Sequence, residues 1–336
     1  DRIASDCPHF DLCGGCDFRN ISYQNELKIK KQILTDSLNF AKITAPVKDI
    51  YSASPETFYR NNSRFFFSII NSKVELCMTN FDYQKGLLPV SLFLHSSPLI
   101  QTIINGLKTV YSKIEDTLVL PWQIKIREGK FTHEFMIEIV TKNSILNKKN
   151  ELISFFKSLP EVKSLYHTIS TDKNLRLVER KLLFGAPIIF ERIGPYKFQI
   201  SPSSFFQTNS LGVKNLYDRI KIAARGESFG HNIIDLFCGA GTIGIYLSNF
   251  AKNVVGIDLV KDAIKDAREN AKINKISNAR FEIADLNSIN LKNTFSKIGV
   301  DQPFLNNSII ILDPPRDGLS RGDRKSTRLN SSHRIR

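Results

Sequence analysis

The sequence predicts an α/β fold whose C-terminal part is a doubly wound, mainly parallel sheet, preceded by an α+β region and a short cysteine-rich loop. Three observations carry this expectation. After about residue 192, short β-branched runs alternate with helical patterns, and one such run passes directly into the glycine turn Cys238-Gly-Ala-Gly241. Between about 46 and 191, strand-like alternation broken by Asn, Ser and Gly turns dominates instead. Residues 1–19 hold three cysteines and two adjacent glycines with no apolar periodicity. Strands that alternate with helices build parallel sheets, and ligands then collect at the carboxyl ends of the strands.

Taken in order, Leu27, Ile29, Ile33, Leu34 and Leu38 mark an amphipathic helix from Ile21 to about Phe40. The segment 20–45 is expected to pack on the C-terminal domain. In the central region, 46–191, strands are expected at 64–70, 135–140 and 182–184, with helices near 99–116 and 149–158. In the C-terminal domain, 192–322, strands are expected at Asn232–Phe237, Asn253–Asp258, Ala279–Ile283 and Ser308–Asp313, with helices at 241–250 and 260–274.

A hydrophobic content of 42% with 24% charged residues suits a soluble globular chain. With no apolar run of about 18 residues, a membrane partner is not expected. Five cysteines, three of them between Cys7 and Cys16, and no apolar leader point to a reducing cytoplasm and to metal or catalytic thiols rather than disulfides. A formal charge of +14 calls for a polyanionic partner, nucleic acid above all. Residues 323–336, Asp323-Arg-Lys-Ser-Thr-Arg-Leu-Asn-Ser-Ser-His333 and its end, read as a translated sequencing adapter, not native protein. They contribute five basic residues and one acid, so a net +10 remains without them. Lacking an initiator Met, the chain is expected to begin inside a longer protein.

The strongest motif is Asp235-Leu-Phe-Cys-Gly-Ala-Gly-Thr-Ile-Gly244, an apolar strand entering a tight turn that opens a helix. Gly239 and Gly241 let backbone approach a ligand where a Cβ would collide. Asp258 closes the next strand, where a carboxylate can accept both ribose hydroxyls of an adenosine, and Asp285, after the third, is placed to meet the adenine amino edge. The acid at 258 would also suit a dinucleotide. Asp313-Pro-Pro-Arg316 at the end of the fourth strand resolves this, because paired prolines stiffen the exit and turn the carboxylate and carbonyls into the cleft.

With these motifs in place, the chain resembles the RNA uracil-5-methyltransferase family. Ile200-Ser-Pro-Ser-Ser-Phe-Phe-Gln-Thr-Asn209, Val254-Val-Gly-Ile-Asp-Leu-Val-Lys-Asp-Ala263, Asp266-Ala-Arg-Glu-Asn-Ala271 and Tyr59-Arg-Asn61 extend the likeness over residues 7 to 320. The resemblance implies a Rossmann-like class I S-adenosylmethionine-dependent domain. It also implies donor contacts from Gln207, Phe237, Gly239, Gly241, Thr242, Asp258, Asp285 and Asp313. It implies methylation at C5 of a uridine by cysteine attack at C6, with the nucleophile and base beyond residue 322, so that this polypeptide alone is expected to be inactive. Cys238, within the donor loop, is not expected to be that nucleophile.

Cys7-Pro-His-Phe-Asp-Leu-Cys13-Gly-Gly-Cys16 has the spacing C-x5-C-x2-C, and three thiolates need a fourth ligand to close a zinc or iron–sulfur site. The family's iron–sulfur branch carries this spacing and a later cysteine, at whose place this chain has Ser97. The resemblance thus implies a [4Fe–4S] cluster on Cys7, Cys13 and Cys16. Cys77 is a candidate fourth ligand that could equally face the core, and zinc with His9 is an alternative. The implied partner is RNA, 23S ribosomal RNA before the T-loop of tRNA, and the implied state a monomer. The competing class is a non-catalytic iron–sulfur RNA-binding protein.

Overall fold

A computed structural model describes residues 2–53, 55–114, 116–170, 177–225, 230–286 and 295–314. The segment expected to be adapter-derived and the stretch Pro315–Leu319 lie outside the described residues. The chain divides into two compact units, one of residues 1–128 and 135–186 and the other of 129–134 and 187–336.

The first unit is built on a seven-stranded sheet. Its strands are β1 (Asn62–Ile70), β2 (Lys73–Thr79), β3 (Leu87–Pro89), β4 (Gln123–Gly129), β5 (Glu134–Thr141), β6 (Val162–Ser170) and β7 (Leu177–Gly185), in spatial order β3-β2-β1-β4-β5-β6-β7. The β5–β6 pair is parallel, whereas β1–β2, β1–β4, β2–β3 and β6–β7 are antiparallel. Alternation sets the buried face: Phe65 and Phe67 of β1, Val74 and Leu76 of β2, and Ile124 and Ile126 of β4 share one core. Helix α2 (Leu99–Val110) adds Ile100, Ile103, Ile104 and Leu107, an i, i+3, i+4, i+7 stripe, and α3 (Lys149–Lys157) adds Leu152 and Phe156. Helix α2 stops six residues short of the expected 116. Helix α1 (Tyr23–Phe40), capped by Ser22 on the amide of Asn25, belongs to this unit and buries none of its residues.

The second unit holds a hairpin, β8 (Ile189–Ile193) with β9 (Tyr196–Ile200), then α4 (Ser210–Arg225) and four parallel strands. These are β10 (Asn232–Leu236), β11 (Val254–Asp258), β12 (Ala279–Ile283) and β13 (Ser308–Leu312), in order β12-β11-β10-β13. Helices α5 (Thr242–Leu247), α6 (Lys261–Ile273) and α7 (Gln302–Asn306) connect them. Ile234, Leu236, Val255 and Ile257, from the two central strands, pack with Leu286, Phe295 and Val300. From β10 the chain steps outward through β11 to β12, then returns to the opposite side of β10 for β13. The reversal lies between β10 and β13, and such a switch point opens a crevice at the strand ends.

Candidate functional site

At that crevice β10 ends and the backbone turns sharply. Phe237, Gly239 and Gly241 have φ of 63°, 53° and 76°. Glycine adopts this left-handed geometry without a Cβ penalty, and Phe237 is held in it by its neighbours, packing against the Leu236 and Val255 core. A Cβ on Gly241 would stand 2.8 Å from the Phe281 ring and 2.9 Å from the Ala267 Cβ, so this glycine seats the turn against α6 and β12. Around Gly239 nothing lies within 4 Å of that position, leaving its face open to a ligand.

Asp235 is fully buried, and one carboxylate oxygen accepts the Gly244 amide at 3.0 Å while the other has no hydrogen-bond partner. Burial above all, with the charges of Asp313 and Asp258 nearby, raises its pKa to about 7. One oxygen of Asp258 accepts the Gly239 amide at 2.9 Å and the other accepts Val260 at 2.9 Å. A carboxylate offers about four lone-pair directions, so Asp258 keeps capacity for ligand hydroxyls. Gln207 donates from Nε2 to Asp313 at 3.0 Å, joining residues 106 apart at the mouth of the switch point. Thr242 shares a 2.7 Å hydroxyl hydrogen bond with Tyr217 of α4. Asp285 is exposed just beyond β12.

The structure therefore brings Gln207 to Asp313 and Gly239 to Asp258, and sets Phe237, Gly241 and Thr242 on the same turn. Cys238 is buried in this turn, and burial with the charges of Asp235 and Asp258 holds its thiol protonated well above the usual range.

Sequence reasoning did not single out the polar seam that fixes this turn. Asn270 of α6, fully buried, donates to the Ala240 carbonyl at 3.0 Å and accepts the Gln199 amide at 2.7 Å. Asp266, one turn earlier, accepts Gln199 Nε2 at 2.8 Å and Ser201 at 2.6 Å. Two polar residues at i and i+4 within the Ala263–Ile264–Ala267–Ala271 apolar face were the available signal.

In the first unit the half-buried Cys7, Cys13 and Cys16 line one cavity with His9, Arg19, Val90, Leu92, Phe93, Leu94 and His95. Burial and the neighbouring thiols raise the pKa of Cys16 to about 11, and burial raises that of Cys13. Cys16 Sγ lies 2.8 Å from His95 Nε2. Burial first, then the charges of Arg60 and Arg19, lowers the His95 pKa to about 4, which leaves a neutral imidazole. As placed, no three His, Cys, Asp or Glu side chains among the described residues converge tightly enough to hold a metal ion.

Cys77 corrects the four-cysteine expectation. It sits in the middle of β2 opposite Phe66, fully buried, and its electrostatic neighbours are Glu75 and Lys108, not the loop thiols. Strand pairing on both sides fixes it in the sheet. Ser97, at the family's ligand place, gives its hydroxyl to Glu128 instead.

A family model described as "Methyltransferase domain" matches residues 227–314. The chain is 30% identical over 341 residues to an uncharacterized RNA methyltransferase of Caldanaerobacter subterraneus subsp. tengcongensis, covering 95% of this chain and 72% of that one. It is 31% identical over 334 residues to an uncharacterized RNA methyltransferase of Halalkalibacterium halodurans, covering 95% and 70%. Its fold is similar to that of the Pyrococcus abyssi tRNA (uracil-54, C5)-methyltransferase solved with S-adenosyl-L-homocysteine, with a TM-score of 0.71, 25% identity, and coverage of 93% and 71%.

Proposed function

The chain belongs to the RNA methyltransferase family and has the class I S-adenosylmethionine-dependent fold, and from that premise we propose that it methylates C5 of a uridine in 23S ribosomal RNA. The observation that carries the reading is the Gln207–Asp313 hydrogen bond at the β10/β13 switch point, set beside the Asp258 carboxylate. The donor, when bound, supplies an electrophilic methyl group on a cationic sulfur.

The rest is done by this chain's residues. Asp258 accepts the ribose hydroxyls, each such charged hydrogen bond contributing about 1.5–3 kcal/mol. Phe237 walls the nucleoside, Gly239 admits it to the backbone, and Asp285 takes the adenine amino edge. Thr242, fixed by Tyr217, borders the turn. Gln207 and Asp313 span the mouth, where they position the target base and screen it from water. Chemistry at uracil C5 also requires a nucleophile at C6 and a base for the C5 proton. Cys238, the one cysteine of this unit, is buried and protonated and fills neither role.

The central region 46–191 serves as the RNA-binding part and the basic excess of the chain supplies phosphate contacts. The protein acts as a cytoplasmic monomer in this reading. Residues 1–19 hold a [4Fe–4S] cluster through Cys7, Cys13 and Cys16, supported by their spacing and by the cavity they share. The cluster's role is to shape the loop, since methyl transfer moves no net electrons.

A second reading, a tRNA uridine as substrate, draws on the likeness to the Pyrococcus abyssi enzyme. The test is methyl transfer by the full gene product from labelled donor to 23S and tRNA transcripts, followed by nucleoside mass spectrometry. 5-Methyluridine in the 23S transcript is the expected product. The same nucleoside only in tRNA selects the second reading, and methyl groups only on guanine overturn both.

A further inference from the structure

We infer that the open groove between α6 and β12 is a docking surface for the phosphodiester backbone of RNA, at nucleotides outside the donor crevice. This rests on RNA as the partner and is independent of which base is modified.

The helix sets out the charges. Lys261, Lys265, Arg268 and Lys272 are exposed and stand at i, i+4, i+7 and i+11 of α6, so they form one stripe along it. At about 1.5 Å per residue the stripe is about 16 Å long, enough to pass more than one phosphate. Facing it is Arg280, exposed on β12, the edge strand of the parallel sheet. Between them lies a groove of about 650 Å³, floored by the buried Ile264, Ala271 and Phe281. It shares no residue with the crevice at Asp235–Thr242, Asp258 and Asp313.

Cations outnumber acids five to two along its walls. The signs are sorted on the helix: Asp262 does not line the groove and acts instead on Asp266, which is bonded to Gln199 of β9. Glu269 and Glu282 do line it, paired with Lys272 at 2.7 Å and Arg268 at 3.2 Å. Surface pairs of this kind contribute little to stability, so a phosphate can replace either acid. Lys261 and Lys265 make no ion pair among the described residues.

Both arginines are fixed in place. Arg268 Nε donates to the Phe281 carbonyl at 2.9 Å, and Arg280 Nη2 to the Gly299 carbonyl at 3.0 Å. Each guanidinium keeps further N–H donors for a phosphate. The apolar floor offers an anion nothing, so the walls hold the ligand by its charge, as a backbone is held, and without reading sequence.

The test measures binding of a 23S ribosomal RNA fragment to the full gene product by fluorescence anisotropy over a series of KCl concentrations. K265A/K272A is expected to weaken binding about tenfold and to lower the slope of log affinity on log salt by about 1.5, two contacts at about 0.7–0.9 each. K265E/K272E is expected to weaken it further. K252E/K297E reverses the same number of charges on exposed lysines of this unit outside the groove and is expected to stay close to wild type, because salt screens distant charge. S-adenosylhomocysteine affinity in calorimetry is expected to be unchanged in all three variants.

Wild-type RNA affinity and salt slope in K265E/K272E, or an equal loss in K252E/K297E, overturns the groove and leaves the proposed function standing. Loss of S-adenosylhomocysteine binding along with RNA binding also overturns it, since the lysines would then act through the crevice. A wild-type protein with no salt-dependent RNA binding overturns RNA as the partner, and the groove falls with it.

Discussion

The carboxylate of Asp235 holds the amide of Gly244 at 3.0 Å, tying the end of β10 to the first turn of α5 across the glycine turn. Because the bond is fully buried and the second oxygen is unpaired, this acid keeps its proton to about pH 7 in the folded chain.

The first prediction is a pH-dependent stability. In the unfolded chain Asp235 ionises near 3.8, so between pH 4 and 7 the folded state binds the extra proton. Its contribution is therefore greatest below pH 4, declines as pH rises through that window and is flat above it. A shift of this size corresponds to about 4 kcal/mol. Thermal unfolding of D235N is expected to lack this decline; an identical pH profile in both proteins would refute the assignment.

Gly241 and Gly239 should separate stability from binding. G241A forces a Cβ into Phe281 and Ala267 at a φ of 76°, and the overpacking with the backbone strain is expected to cost about 2–4 kcal/mol in urea unfolding. G239A meets no protein atom within 4 Å. It is expected to cost only about 1–2 kcal/mol from its φ, yet to weaken S-adenosylhomocysteine binding at least tenfold in calorimetry. Equal stability losses with unchanged binding would count against the open face at Gly239.

Asp258→Asn is expected to raise the dissociation constant for S-adenosylhomocysteine by about ten- to a hundredfold, from hydrogen bonds to a charged group worth about 1.5–3 kcal/mol each. The amide also loses one of its two backbone contacts, to Gly239 or to Val260. Calorimetry showing affinity within twofold of wild type would remove Asp258 from the donor site.

Asn270→Ala deletes the buried amide that joins the Ala240 carbonyl to the Gln199 amide. Leaving both backbone groups unpaired is expected to destabilise the chain by about 2–4 kcal/mol. Urea unfolding measures it, and a loss below 1 kcal/mol would show that water or rearrangement satisfies both groups.

The second unit was legible where local pattern and tertiary role agree. Strands β10 to β13 fall within a residue or so of their expected places, because β10, β11 and β13 each carry adjacent β-branched residues and end at a glycine turn, an acid or a proline, while β12 is a short alternating run with an acid two residues beyond it. Helix α4 was not anticipated, since Gly212 sits in its first turn and its neighbours Gln207 and Asn209 read as loop. The Asp266–Asn270 seam escaped notice because polar residues on an apolar helix face acquire meaning only from the backbone groups opposite them.

The cysteine loop shows the same division. Spacing alone groups Cys7, Cys13 and Cys16, which share a cavity. It could not choose between a ligand and a core role for Cys77, which strand pairing decides. Nor could it find the approach of His95 to Cys16, since the two stand 79 residues apart and only the tertiary fold brings them into contact.

The parallel pairing of β10 with β13 also dictates an order of assembly. Asn232 lies against Ser308 across 76 positions of chain, and Asp313 follows that last strand at once. Such long-range closure is slow compared with forming α5 or α6. A nascent polypeptide would thus carry its glycine turn well before it could clasp a nucleoside, and ligand capture should report late events in refolding.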